Sequence, residues 1–395
     1  LTEVRTAKVL RWNLKKNAIK DKTSFYDSVK LGNQIFAVGY GKQSFSEIDS
    51  KSGKIIVSDA PSSKIMAIVK ADAYGHGAPE VAQELRIADA FGVARMSEAL
   101  ALRESGVDQP ICLLEGFSDP QDLDLANIFR LQMVLHTHEQ IDLWARDGAR
   151  SRIWVKVDTG MGRLGFALEE ASSVLKKVGQ KDLLGLMTHL YDAGDKKSTR
   201  TREQLQRIQS LARNLSFPGG EMLNISNSGG ILGQHQPYGG WVRPGLMLYG
   251  ASPFDDYDPI PFLRPVMSFD APVISVRDIM AGQSVGYSGI WTADKNTKIA
   301  VIAAGYADGY PREITQGAPV IINGQKYPLV GRVSMDMICV QVSDGQPAKV
   351  GDRAVLWGEG LPVEEIAKKA GTIPYTLLCG VTSRVNREFL GSHYA

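Results

Sequence analysis

A lysine closes the apolar run Lys64-Ile65-Met66-Ala67-Ile68-Val69-Lys70, and the turn Ala71-Asp72-Ala73-Tyr74-Gly75-His76-Gly77 follows it. About six apolar residues with β-branched members predict a buried strand. Its last position is a poor place to pack an unpaired ammonium, because burying one costs several kcal/mol. It is a good place for chemistry, since a desolvated lysine sheds its proton and becomes a nucleophile towards aldehydes. The plainer alternative is a strand-end lysine that stretches to solvent. What separates the two is whether other reactive side chains gather at the same place.

They do so in the sequence. Apolar runs are followed by Asp158-Thr159-Gly160-Met161-Gly162-Arg163, by Thr188-His189 and by Ser226-Asn227-Ser228-Gly229-Gly230, and Arg243-Pro244-Gly245-Leu246 lies further on. Each alone reads as a surface arginine, a structural histidine or a loop; several at successive strand ends are harder to dismiss. Glycines beside a serine hydroxyl leave backbone N–H groups free to cradle a phosphate, as Gly229-Gly230 and Gly245-Leu246 can. A nucleophilic lysine facing a phosphate site is what pyridoxal 5′-phosphate requires. A second set, Gly286-Tyr287-Ser288-Gly289, Gly305-Tyr306-Ala307-Asp308-Gly309-Tyr310 and Gly331-Arg332-Val333-Ser334-Met335-Asp336, places tyrosines in glycine-flanked turns. Such tyrosines are packing residues unless a cation or hydrogen-bond network lowers the phenol's pKa and makes it a proton carrier.

The elements that must position these groups follow from periodicity. Eight apolar runs, Ile65–Val69, Phe91–Ala94, Ile111–Leu114, Met133–Leu135, Ile153–Val157, Leu184–Met187, Met222–Ile225 and Leu246–Tyr249, alternate with helical patterns such as Pro79–Asp89, Ser97–Ser105, Glu139–Ala145, Leu168–Val178 and Arg202–Leu215. That alternation predicts a (β/α)8 TIM-type barrel over residues 61–260, whose reactive face lies at the C-terminal ends of its strands. No helix-opening G-x-G-x-x-G follows a strand, which argues against a dinucleotide fold. From residue 261 to 395 the runs Ala271–Val276, Lys298–Ala303, Pro319–Ile322, Ile338–Val342 and Arg353–Trp357 are spaced by Gly, Asp, Asn and Pro. They predict a mainly antiparallel β domain with one late helix, Val363–Lys369. In the N-terminal segment, 1–60, Ala7–Ile19 reads as a helix and Gly39–Asp59 as hairpin or loop.

Composition narrows the partners. In 395 residues, 45 Lys+Arg against 43 Asp+Glu give a net charge of +2, so bulk charge suggests neither nucleic acid nor a membrane surface. No window approaches about 18 consecutive apolar residues, the length that spans a bilayer as a helix. Cys112, Cys339 and Cys379 lack metal-like spacing and favour a reducing compartment. The expectation is a cytoplasmic protein; the start at Leu1 keeps a processed exported form as the alternative.

Residues from about 60 to 388 resemble the alanine racemase family, whose members combine a pyridoxal-phosphate barrel with a β domain. The motifs are Val69-Lys70-Ala-Asp-Ala-Tyr74-Gly-His-Gly, Lys156-Val-Asp158-Thr-Gly-Met-Gly-Arg163, Thr188-His189, Asn227-Ser228-Gly-Gly, Val242-Arg243-Pro-Gly245-Leu-Met-Leu-Tyr-Gly, Gly305-Tyr306-Ala-Asp-Gly-Tyr-Pro-Arg312 and Val330-Gly-Arg-Val-Ser-Met335-Asp336-Met. The resemblance implies that Lys70 carries pyridoxal 5′-phosphate as a Schiff base and is one catalytic base. It implies that Tyr287, from the other subunit of a homodimer, is the second. It further implies that Arg243 contacts the pyridine nitrogen, that Arg163 lies near the phenolic oxygen and the substrate, and that His189 links Arg243 to Tyr287. Tyr74, Asn227, Ser228, Gly245 and Leu246 would hold the cofactor and its phosphate. Tyr306 and Met335 would contact substrate from the partner subunit, and Lys156 matches a lysine that can be carbamylated.

The implied activity is interconversion of L- and D-alanine, for peptidoglycan or for alanine catabolism. A broad-specificity racemase of the same architecture is the nearer alternative, against which Lys156 argues because asparagine is expected there. A non-catalytic pyridoxal-phosphate protein is the distant one, and a related decarboxylase would need a cysteine-centred site. Two departures stand out: Ser383 replaces a tyrosine that reaches the phosphate in some members, and about fifty residues separate Arg11-Trp-Asn13-Leu14 from Lys64.

Overall fold

A computed structural model describes residues 63–146, 151–215, 222–233, 240–256, 260, 263–342 and 348–390, together with the strand backbone of five N-terminal segments. Eight parallel strands close into a barrel: β1 (Lys64–Ile68), β2 (Ala90–Val93), β3 (Ile111–Leu113), β4 (Gln132–Leu135), β5 (Ile153–Lys156), β6 (Leu183–Met187), β7 (Leu223–Asn227) and β8 (Trp241–Arg243). Closure runs through β8 and β1, with Trp241 opposite Lys64 and Val242 opposite Ile65. Their sequences are near-continuous Val, Ile, Leu and Met because both faces are covered, one by the barrel core and one by helices. Met66, Phe91, Ile111, Leu113, Met133 and Trp154 are fully buried, Met66 and Trp154 on one face of the barrel wall and the other four on the opposite face.

One strand differs from expectation. Leu246–Tyr249 is a single 3-10 turn, and the eighth strand is Trp241–Arg243. Pro244 has no N–H for a further rung, although its carbonyl accepts from the Ile68 N–H at 3.0 Å. Leu246 and Tyr249, three residues apart, both point into the core. A short apolar run serves a buried turn as well as a strand. Arg243 therefore lies on the barrel wall itself, as the last residue of β8.

The second sheet is eight-stranded and mainly antiparallel. Its spine is Met267–Ile279, which pairs with Arg353–Trp357 near its start and with Thr297–Ile302 further on. Pro319–Ile322, Ile338–Val342 and Arg353–Trp357 are strands over the predicted ranges, and the late helix covers Val363–Ala370. A second helix, Pro374–Gly380, and a last strand, Asn386–Leu390, were not foreseen.

The expected helix over Ala7–Ile19 is overturned at its start. Thr6–Leu10 is a strand, antiparallel to Met267–Ile279 and parallel to Asn386–Leu390. Its ladder partners lie more than 250 residues away, so tertiary pairing overrides local preference. Residues 11–19 fall outside the described residues. Phe25–Leu31, Gln34–Gly39, Ser46–Asp49 and Ile55–Val57 pair antiparallel in chain order, so the hairpin reading of Gly39–Asp59 holds where strands are described.

Candidate active site

Lys70 lies two residues past the end of β1 and is half-buried, with no hydrogen bond or ion pair to any described residue. The four residues after it are left-handed: Ala71, Asp72, Ala73 and Tyr74 have φ of 52–53°. For L-residues that conformation costs about 1–2 kcal/mol each and persists only when neighbours impose it. Here Glu98, Arg387 and Leu378 impose it. Glu98 accepts from the Ala71 N–H at 2.6 Å while its other oxygen caps the helix Met96–Glu104 through the Ala94 and Arg95 N–H groups. Asp72 accepts from the Ala78 N–H at 2.8 Å and pairs with Arg387 of the last strand at 2.5 Å. Gly75 presses against the Leu378 carbonyl so closely that any Cβ there would collide with it. Strain that points one lysine into a barrel mouth is what a reactive centre stores.

Across the mouth, Arg243 is buried and held from all sides. Its Nη1 donates to the Asn224 carbonyl (2.8 Å) and Oδ1 (2.5 Å), and its Nη2 to the carbonyls of Thr188 (2.7 Å) and Ile225 (3.0 Å) and to His189 Nδ1 (3.3 Å). The N–H on Nε has no partner among the described residues. Burial brings its pKa down to about 10, so it stays cationic at neutral pH. His189 accepts through Nδ1, so its proton sits on Nε2. Burial, with Arg243 as the largest charge, holds its pKa well below the usual histidine value, and the ring is neutral. Gln204 supports this wall by donating to the His189 carbonyl (3.0 Å) and to Thr159 Oγ1 (2.9 Å), which meets Thr188 Oγ1 at 2.8 Å.

Ser228 and Gly245, the expected phosphate cradle, sit just beyond the ends of β7 and β8. Ser228 Oγ accepts from the Gly245 N–H (2.9 Å) and the Met247 N–H (3.3 Å). A Cβ at Gly245 would lie 2.7 Å from the Tyr74 hydroxyl oxygen, so only glycine lets that hydroxyl approach the backbone. Burial raises the Tyr74 pKa, which keeps the phenol a donor, and it too has no hydrogen-bond partner among the described residues. Leu246 is buried beside it. Asn227 caps the short helix Ser228–Leu232, accepting from the Gly230 N–H and donating to the Leu190 carbonyl, so both ends of its amide are used.

Lys156 ends β5, buried, with no hydrogen-bond or ion-pair partner among the described residues. Burial, then Arg243, Arg163 and Lys70, lower its pKa to about 8. Arg163 is exposed on the loop after β5, which Asp158 organises by accepting from the N–H groups of Gly160, Met161 and Gly162.

The structure brings Lys70, Tyr74, Lys156, Arg163, His189, Ser228, Arg243, Gly245 and Leu246 to one end of the barrel. It does not bring Tyr287, Tyr306 and Met335 into that group. Tyr287 is 66% exposed between Gly286 and the left-handed Ser288 (φ +61°). Met335 (52%) and Tyr306 (38%) are tied to each other's loops, the Tyr306 and Ala307 N–H groups donating to the Ser334 and Met335 carbonyls. Glu98, Asn224, Gln204 and Tyr249 were missed. Of these only Glu98 carried a signal, an acidic residue in the first turn after a strand end.

Residues 54–253 match the model of the alanine racemase N-terminal domain and residues 266–389 that of its C-terminal domain. The alanine racemase of Mannheimia succiniciproducens is 43% identical over 343 residues, 85% of this chain and 95% of that protein. That of Haemophilus influenzae is 44% identical over 344 residues, 85% of this chain and 94% of that protein. The structure of the biosynthetic alanine racemase of Pseudomonas aeruginosa superposes with a TM-score of 0.78 at 38% identity, covering 83% of this chain and 93% of that one. The Bartonella henselae alanine racemase, with covalently bound pyridoxal phosphate, gives a TM-score of 0.75 at 30% identity, covering 83% and 93%. Both the barrel and the β domain that follows it are thus matched along most of the chain, which belongs to the alanine racemase family and acts as an isomerase on alanine.

Proposed function

We propose that the chain racemises alanine with pyridoxal 5′-phosphate attached through Lys70, in sites shared by two copies of the chain. The observation that carries this reading is a set of unspent groups on one barrel mouth: the amine of Lys70, the Nε–H of Arg243 and the hydroxyl of Tyr74. These groups fit the cofactor: an amine for its carbonyl, a cation for its ring nitrogen, and a neutral hydroxyl with the Ser228–Gly245 cradle for its phosphate. When bound, the cofactor supplies the electron sink beside the substrate Cα.

The chain's residues decide what happens there. Arg243 stays protonated and cannot give a proton to the ring nitrogen it would face, which limits charge at that atom. Lys70 exchanges the Cα proton on one face. Tyr287 from the second copy does so on the other, with the His189 Nε2–H available to its oxygen. Arg163 faces the phenolic oxygen and the substrate carboxylate. Tyr306 and Met335 of the second copy keep the pocket small, so longer side chains are penalised. The exposure of Tyr287, Tyr306 and Met335 on the β domain supports a homodimer. The free thiols of Cys112, Cys339 and Cys379 fit a cytoplasmic location.

The test is chiral product analysis with alanine, serine, lysine and arginine, with and without added pyridoxal phosphate. Alanine is expected to be turned over fastest, and only with cofactor. Faster turnover of lysine or arginine would replace this reading with the broad-specificity one.

Lys156 is the proposed carbamylation site. The neutral amine adds to carbon dioxide and loses one proton, turning a buried cation among Arg163 and Arg243 into an anion. Because its pKa is about 8, labelling by 13C-bicarbonate is expected to fall as pH drops from about 9 to about 7. The 13C resonance should vanish in Lys156→Met. A resonance that survives in that variant would place the modification elsewhere.

A further inference from the structure

His76 belongs to the opening motif but to none of the roles above. It is fully buried, and its Nδ1 lies 2.9 Å from both the Ala73 and the Tyr74 carbonyl oxygens. Carbonyls only accept, so Nδ1 carries the proton, and Nε2 is left as a buried acceptor without a hydrogen-bond partner among the described residues. Burial lowers its pKa to about 4, so the ring is neutral at working pH. Its face stacks on Tyr249 at 4.5 Å, and Tyr249 in turn lies 4.9 Å from the ring of Tyr74. The Tyr249 hydroxyl donates to the Ile68 carbonyl at 2.8 Å. The stack is therefore keyed to the backbone two residues before Lys70 and again at Ala73 and Tyr74. Glu98 holds the first N–H of the left-handed turn; His76 holds the carbonyls at its far end.

We propose that His76 is a positioning residue, whose Nδ1–H fixes the left-handed turn so that the Lys70 amine and the Tyr74 hydroxyl converge on the cofactor. The proposal rests on the reading of Lys70 as the attachment point, and it names a donor position, not merely a ring that fills space. His76→Asn returns an amide N–H near the Nδ1 position, His76→Gln returns it near Nε2, and His76→Leu returns none.

Cofactor-free protein is titrated with pyridoxal phosphate to obtain a dissociation constant, alongside kcat, KM and Tm for each variant. His76→Gln and His76→Leu are expected to bind cofactor and turn over ~10- to 100-fold less well, with KM for alanine little changed, because misplacement by about 1 Å costs up to ~100-fold. His76→Asn is expected to recover to within ~3-fold of the parent. Equal impairment of Asn and Gln, or a better Gln variant, would overturn the proposal by making the histidine a packing residue. Should the histidine variants fail to fold, Tyr249→Phe keeps the ring and removes only the hydroxyl on Ile68. Weakened cofactor binding at unchanged Tm supports the scheme, and unchanged binding overturns it. Borohydride reduction and peptide mass mapping of the parent separate the two failures. An adduct away from Lys70 sinks the attachment reading, whereas an adduct on Lys70 with insensitive His76 variants sinks this proposal alone.

Discussion

Lys70→Ala is expected to lose racemisation by ~10⁴-fold or more, because one side chain serves as both attachment point and base. The protein should fold as before. Lys70 makes no hydrogen bond or ion pair with any described residue, so its removal leaves no buried group without a partner. The left-handed turn that follows is held through Glu98, Asp72 and His76, not through the lysine amine. Activity and stability should therefore separate: chiral chromatography reads a near-complete loss while Tm stays within a few degrees. Intact mass after borohydride should show the parent gaining one cofactor and the variant none. Lys70→Arg should not rescue, since a guanidinium stays protonated and cannot act as base or nucleophile. A Lys70→Ala enzyme with undiminished turnover would remove Lys70 from the mechanism.

How far the sequence leads is clearest at two arginines. Arg163 follows one strong apolar run and Arg243 precedes another, and the sequence assigns both to the mouth. The sequence does not distinguish the exposed one from the one held by five acceptors, because Asn224, Thr188, Ile225 and His189 converge on Arg243 only once the barrel has closed. The barrel itself was legible because strand and helix periodicities alternate locally. Its last strand was not, because Trp241–Arg243 is three residues long and the more apolar run beyond Pro244 drew the assignment. Thr6–Leu10 was misread for a related reason: its ladder partners come from the far end of the chain. Long-range pairing leaves little local trace. The left-handed turn is the sharper lesson. Only Gly75 and Gly77 in that motif are glycines, yet Ala71, Asp72, Ala73 and Tyr74 adopt the conformation glycine favours. Propensity reasoning fails there because the site imposes the geometry, and the supports that impose it, Glu98 and His76, lie outside the reacting groups.

Tyr287→Phe is the second large effect, and its signature is asymmetry. Racemisation converts one enantiomer into the other with an equilibrium constant of one, so removing either base must slow net conversion equally in both directions. The expected loss is ~10²- to 10⁴-fold, the range for a general acid–base group. Proton exchange without inversion is not so constrained. With Tyr287 gone, Lys70 still serves its own face, so one enantiomer should continue to pick up solvent deuterium while the other stops. If both enantiomers kept exchanging, the phenol would not be the base. The same pair of variants tests where the site is completed. Tyr287 stands exposed on the β domain, outside the cluster gathered around Lys70. Mixed dimers of Lys70→Ala and Tyr287→Phe subunits would carry one site with both defects and one site intact if the site is shared between copies. Random reassortment makes about half the dimers mixed, so roughly a quarter of parental activity should return from two inactive proteins. If each chain completed its own site, every site in the mixture would still lack one base, and no activity would return.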